Sequence, residues 1–384
     1  MTPWGVFRCF LRLGLTSFGG PVAHLGFFRQ EFVARRGVIS EADYAALVAL
    51  AQVLPGPTSS QVGFALGRHL AGWRGACAAW CGFTLPSALL LALAAAGLAL
   101  WGTHLGAGWL LGVEAVAAAV VAQALWGMGR SLTPDAPRLL MAAGAAAAAL
   151  GIDGSAGQFA ALGIGIAAGA LLRPAPATAP VPRPALLRAT LVAVLVLVLV
   201  PLALGAAAQA WPGGALIATQ ACWQGGAWVF GGGHVILPLL SAELVDRGHL
   251  TTEAMLAGYG LAQAVPGPLF TLAAFVGQYL GGPLGALAAT LAIFLPGLAL
   301  MAVGTPLWNG LRARPAAQRA LLGLNAAVVG LLAAALIDPV LMRCAATWSG
   351  PAIALGAALL LWRGRLPVWL VVLLGAAAGA FIAR

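Results

Sequence analysis

Apolar positions run along this chain in long stretches, parted by short clusters of Gly, Pro and Arg. The stretches fall at 4–28, 43–67, 73–101, 106–129, 136–152, 155–172, 189–210, 215–240, 254–280, 284–308, 317–337, 350–363 and 367–383. Each reads as a helix, since about 20 apolar residues cross a bilayer in that form. The 350–363 stretch is short for a crossing by itself. Arg173 to Arg188 reads RPAPATAPVPRPALLR, with five prolines and no helical period, so it is an extended linker. The pattern predicts an all-α polytopic membrane protein with about 13 transmembrane segments. Its parts are a first half at 1–172, the linker at 173–188, an extra helix at 189–210 and a second half at 211–384.

The charged positions orient these segments. Numbered from the N-terminus, the even loops hold Arg68 and Arg74; Arg130 and Arg138; Arg173, Arg183 and Arg188; Arg247; Arg312, Arg314 and Arg319; Arg363 and Arg365. The odd loops from the third onward hold Arg343, and Arg384 ends the chain. Arginine gathers on the cytoplasmic side. The even loops and the N-terminus are therefore expected on the cytoplasmic side, and the C-terminus outside. The first loop breaks the rule with Arg29, Arg35 and Arg36. Either the first segment is re-entrant or these arginines serve something besides topology.

Composition excludes a soluble protein: 61% of residues are hydrophobic and 8% charged, against about 25% charged in soluble domains. The net charge is +10 and every basic residue is Arg. Either a GC-rich coding bias, which enriches Ala, Gly, Pro and Arg together, accounts for the missing Lys, or Arg is used because it holds oxyanions in bidentate geometry; the basic excess suits an anionic partner. Cys9, Cys77, Cys81, Cys222 and Cys344 have no disulfide or zinc spacing. No metal or cofactor is expected, and no nucleic acid. Arg8 and Arg12 interrupt the first stretch, so no cleavable signal peptide is read there.

The chain repeats itself. Phe18-Gly19-Gly20 recurs as Phe230-Gly231-Gly232, Glu31 as Glu243, and Arg36-Gly37 as Arg247-Gly248. Leu50-Ala51-Gln52-Val53-Leu54-Pro55-Gly56-Pro57 recurs as Leu261-Ala262-Gln263-Ala264-Val265-Pro266-Gly267-Pro268. Gly72, Gly75 and Ala76 recur as Gly282, Gly285 and Ala286, and Leu110 to Ala115 as Leu321 to Ala326. Order and spacing persist, so this is duplication. Seven spans lie between equivalent positions, an odd number, which predicts two inverted-topology repeats with discontinuous helices.

Pro55-Gly56-Pro57 and Pro266-Gly267-Pro268 cannot be regular helix, since proline removes a donor and glycine permits sharp geometry. A break inside lipid must be packed in protein or line a wet cavity. Past the first break a half-helix opens on Thr58, Ser59 and Ser60, whose free N–H groups, positive dipole end and hydroxyls suit an anion. The matching positions are Leu269, Phe270 and Thr271, so the two sites differ. Gln52 and Gln263 lie one turn before each break, where an amide bonds either freed carbonyls or an oxyanion. Gly19, Gly20, Gly231 and Gly232 either bring bare backbone to the ligand or pack helices closely. Glu31 with Arg29 and Arg36, and Glu243 with Arg247, form either rim ion pairs or a charge-paired gate. Glu114 sits in an apolar helix where the other half has Asn325; proton coupling is one role for a carboxyl at that depth. His24 and His234 flank the Phe-Gly-Gly breaks out of register and are weak proton-carrier candidates.

Together these motifs resemble the chromate ion transporter family in its long-chain, two-domain form. The resemblance rests on Phe18-Gly19-Gly20 with Glu31, the Gln52 and Pro55-Gly56-Pro57 block, Gly72-x-x-Gly75-Ala76 and the second-half copies. It implies export of chromate from the cytoplasm through thirteen inverted-repeat spans, driven by the proton motive force, with chromate resistance as the outcome. Gly112-Val113-Glu114-Ala115 departs from the family's common Gly-x-Asn-Ala pattern. The alternative is a transporter of sulfate or a related oxyanion using the same half-helix site. No catalytic constellation or dinucleotide motif is present, so an enzyme is not expected. The partners expected are the oxyanion and the lipid bilayer, with room for a homodimer.

Overall fold

The computed structural model describes residues 1–17, 20–101, 108–152, 154–172, 197–207, 213–230, 235–312, 315–363 and 366–382. Among them every regular element is helical, as lipid requires of a chain that must satisfy its own backbone groups. The first half runs α1 (Pro3–Thr16), α2 (Gly20–Phe28, prolonged by a π-turn over Arg29–Arg35), α3 (Glu41–Val53), α4 (Thr58–Trp101), α5 (Gly108–Leu132), α6 (Ala136–Gly151) and α7 (Gly154–Gly169). Next comes α8 (Leu197–Ala207). The second half runs α9 (Gly214–Trp228), α10 (Ile236–Leu244), α11 (Thr252–Ala264), α12 (Leu272–Arg312, led by a 3-10 turn at Leu269–Thr271), α13 (Pro315–Ala335), α14 (Met342–Ala345), α15 (Ser349–Trp362) and α16 (Val368–Ile382). Among the described residues, four stretches are long and apolar enough to cross a bilayer: Thr58–Leu98, Gly108–Arg130, Leu269–Gly304 and Gln318–Asp338. The linker expected at 173–188 lies outside the described residues; of the extra helix expected at 189–210, 197–207 is helical.

The stretches expected as single spans at 4–28 and 43–67 are instead pairs of short helices. At 14 residues, α1 is about 21 Å long, too short for a hydrocarbon core of about 30 Å. It folds back on α2: Phe10 packs on Phe28 and Phe32, with ring centroids 5.4 and 5.1 Å apart. Cys9 Sγ lies 3.6 Å from Glu31, and Arg36 Nη1 lies 3.9 Å from Met1 Sδ. The first and last residues of this hairpin are thus neighbours, and Ser17 and Gly20 stand at its opposite end, the tip. A second hairpin shares the same base: α3 runs from Ser40, whose hydroxyl caps it by accepting from the Asp43 N–H, to the Pro55-Gly56-Pro57 break. The chain then returns along 58–70 until His69 meets the Val38 carbonyl at 3.2 Å and the Met1 amine meets that of Leu70 at 3.4 Å.

Although α4 is helical on both sides of Gly72, it reverses there. Gly72 has φ 62° and ψ −155°. A Cβ on Gly67 would sit 2.6 Å from that of Ala79, two positions about 18 Å apart in a straight helix. The second limb, 73–101, packs on α1, with Gly14 against Phe83 and Gly82 against Phe7. Helices in lipid approach through such small residues.

The second half repeats this plan. Gly225 of α9 packs on Ile236 and Leu240 of α10, and α12 reverses at Gly282 (φ 65°), placing Gly277 against Gly285. One residue differs. Glu31 to Gly37 is one residue longer than Glu243 to Gly248, and the first half absorbs the excess as its π-turn, a common outcome of inserting a residue in a helix. The duplication also extends past the sequence match. Gly112 of α5 meets Gly375 and Gly379 of α16, while Gly323 of α13 meets Gly165 and Gly169 of α7. Each half's long helix thus packs on the closing helices of the other half.

Candidate oxyanion site

The two Pro-Gly-Pro breaks hold each other's halves together. The Gly56 N–H donates to the Val229 carbonyl at 2.8 Å, and the Gly267 N–H to the Ser17 carbonyl at 3.1 Å. Val229 and Ser17 each immediately precede a Phe-Gly-Gly break. Both glycines take the left-handed φ that Gly tolerates, 120° and 107°. A Cβ on Gly56 would lie 2.7 Å from Gly297 Cα, and one on Gly267 2.7 Å from Ser87 Oγ. Gly297 and Ser87 follow Pro296 and Pro86, which are themselves repeat partners. The two Pro-Gly-Pro breaks therefore meet the residues that lead into the Phe-Gly-Gly motifs, Ser17 and Val229, reciprocally.

Polarity there is one-sided. The first half supplies Ser17, His24, Ser59, Ser60, Gln61, Thr84 and Ser87, all buried. The equivalent second-half positions are Val229, Ile236, Phe270, Thr271, Leu272, Phe294 and Gly297. Phe270 packs on Phe294 at 6.1 Å where the first half has hydroxyls. His24 Nε2 faces the Ser17 carbonyl at 3.2 Å and Nδ1 faces Ser59 Oγ at 3.3 Å. A carbonyl only accepts, so the neutral ring carries its proton on Nε2 and accepts from Ser59. Gln61 Nε2 donates to Pro55 O at 2.9 Å and to Gly297 O at 3.0 Å, stitching the first break to the other half. Ser17 Oγ, Ser60 Oγ and Thr84 Oγ1 are buried without a hydrogen-bond partner. Each such orphan costs about 1–3 kcal/mol, and each is a hydroxyl donor of the kind an oxyanion accepts from.

The expected site residues divide accordingly. Pro55, Gly56, Pro57, Thr58, Ser59 and Ser60 come together with Pro266, Gly267 and Pro268 at this meeting point, though the two glycine amides are committed to the partner half. The Thr271 hydroxyl donates to Pro268 O at 2.7 Å, whereas its repeat partner Ser60 is unpaired. Gln263 bonds Tyr259, and Gln52 is exposed on α3. Gly20 begins α2 with φ 76°. Gly19, Gly231, Gly232 and His234 lie outside the described residues. Ser17, Gln61, Thr84 and Ser87 were not expected from sequence.

The carboxylates lie elsewhere, at the hairpin bases. Glu31, 6% exposed, receives Arg36 at 2.7 Å, Arg35 at 3.1 Å and Arg12 at 3.7 Å. Burial works to raise this carboxyl, but Arg36 and then Arg35 outweigh it and hold it below the usual range. Arg29 pairs with Glu41 at 2.7 Å rather than with Glu31. Glu243 pairs with Arg247 at 3.1 Å and faces the Gln224 amide, turned to donate, at 3.1 and 3.2 Å. Glu114, half-buried in α5, interacts electrostatically with Cys344 of α14.

A family model described as "Chromate transporter" matches residues 4–223 and again 216–380. The chain is 31% identical to the chromate transport protein of Pseudomonas aeruginosa, covering 97% of this chain and 91% of that one. It is 31% identical to the probable chromate transport protein of Synechococcus elongatus (85% and 82% covered) and 28% identical to the chromate transport protein of Cupriavidus metallidurans (85% and 80%). No solved structure matches.

Proposed function

The chain belongs to the chromate transporter family, and from that premise we propose that it is a secondary transporter carrying chromate out of the cytoplasm, driven by the proton motive force. The observation that carries this reading is the set of buried, unpartnered hydroxyls of Ser17, Ser60 and Thr84. They lie where the breaks meet the opposite half, beside the N-terminus of the half-helix beginning at Thr58. Hydroxyls, half-helix amides and a positive dipole end complement a tetrahedral dianion.

The topology proposed has the α1–α2 and α3–α4 hairpins re-entering from one membrane face, and those of the second half from the other. Arg68 of the first hairpin base donates to Ala302 O at 2.6 Å, and Gly304 packs on Leu54 and Leu50. The far end of α12 therefore reaches the first half's base, which supports inversion. Arg8, Arg12, Arg29, Arg35, Arg36, Arg68, Arg74, Arg130, Arg138, Arg319 and Arg363 then share one face, with Arg247 on the other. The crowded face is cytoplasmic by the positive-inside rule. The first loop no longer breaks that rule, and the N-terminus is inside.

Energised inside-out vesicles test this. They are expected to accumulate radiolabelled chromate, to lose it to a proton ionophore, and to be inhibited by excess sulfate, since these donors do not read the central atom. No accumulation overturns export, and indifference to ionophore overturns proton drive. Glu114 is proposed as the coupling carboxyl: Glu114→Gln should flatten the pH dependence of transport, and an unchanged profile removes it from that role.

A further inference from the structure

At the base of the α1–α2 hairpin lies a 330 Å³ cavity whose lining includes Arg8, Arg12, Arg36 and Glu31, far from the hydroxyl cluster at the hairpin tips. We infer that it is an oxyanion capture site, in which these arginines hold a tetrahedral dianion and Glu31 occupies the same donors until the dianion arrives. The inference rests on the reading of the chain as a chromate exporter and names where that anion is first taken up.

Three guanidinium groups surround one carboxylate here, and Arg8 lines the same cavity. Glu31 engages Arg36, Arg35 and Arg12, while among the described residues no acidic side chain pairs with Arg8. The Glu31 side chain is 6% exposed, but that of Arg12, which lines the cavity with it, is 61% exposed, so positive charge is presented to solvent there. Guanidinium groups bind planar faces of oxyanions through paired hydrogen bonds. The unbalanced positive field also concentrates anions from solution.

The second half lacks this excess. By the repeat register, Arg8 becomes Gln220 and Arg12 becomes Gln224, while Arg36 keeps its counterpart in Arg247. One arginine, Arg247, there faces one carboxylate, Glu243. A charged mouth on the face where the first half opens and a neutral mouth on the other favour capture at the first and release at the second.

The test is Arg8→Gln with Arg12→Gln, which copies the second half. In inside-out vesicles, where this mouth faces the medium, the KM for chromate should rise about tenfold or more, with the maximal rate kept within about twofold and the salt dependence of uptake weakened. Arg8→Lys with Arg12→Lys, keeping charge but not the paired geometry, should fall between. An unchanged KM, or a lost maximal rate at unchanged KM, overturns the site. Equilibrium binding of chromate to the purified full chain separates this from the export reading: binding weakened in the glutamine variant supports the site even if vesicles show no export, and equal binding overturns it.

Discussion

Ser60 and Thr84 carry hydroxyls that folding buries without an acceptor, so their removal should act in opposite directions on stability and on transport. Ser60→Ala and Thr84→Ala relieve an orphan donor and should leave thermal stability equal or higher by about 1 kcal/mol. Chromate transport should fall about tenfold through KM. Leu269→Met, a volume-conserving change at a matched position, should leave transport near wild type; equal losses at both positions would remove the division between a polar binding half and an apolar supporting half. Vesicle kinetics beside a melting curve read both effects. Ser59 and Ser60 were legible in the sequence because they follow Pro-Gly-Pro directly. Ser17, Thr84 and Ser87 were not, because a lone hydroxyl in an apolar stretch carries no period. The signal that would have found them is the comparison of halves, polar in one copy and apolar in the other. Gln61 was hidden for a different reason: its amide acts across 236 residues.

Breaks and turns differ in what they tolerate. Gly56→Ala meets both a φ of 120° and Gly297 Cα at 2.7 Å, backbone that cannot yield cheaply. It should cost about 2–4 kcal/mol and sharply lower folded yield. Gly72→Ala has a φ of 62° and open space around it, so about 1 kcal/mol is expected, with transport retained. Yields and unfolding midpoints that rank the other way would contradict the interlocked breaks. The breaks themselves were readable, since proline and glycine write them into the sequence. The reversals were not. Hydropathy measures whether a segment prefers lipid, not whether the chain continues or doubles back, so 4–28 looked like one span. The arginines of the first loop were the clue, and re-entry was one of two readings they allowed.

At the scale of the molecule, the proposed topology places residues 34 and 74 on one face and 249 on the other. In a chain carrying Cys77→Ser, since that thiol is exposed, Ala34→Cys and Arg74→Cys should react with an impermeant maleimide in inside-out vesicles, and His249→Cys in intact cells. Labelling of position 34 from the periplasm would mean that α1 and α2 cross the membrane after all. One further consequence follows from the two reciprocal bonds, Gly56 to Val229 and Gly267 to Ser17. A single half has a break amide with no acceptor, and lipid offers none. Under the proposed topology, a half expressed alone is therefore expected to need a second copy of itself inserted the other way up.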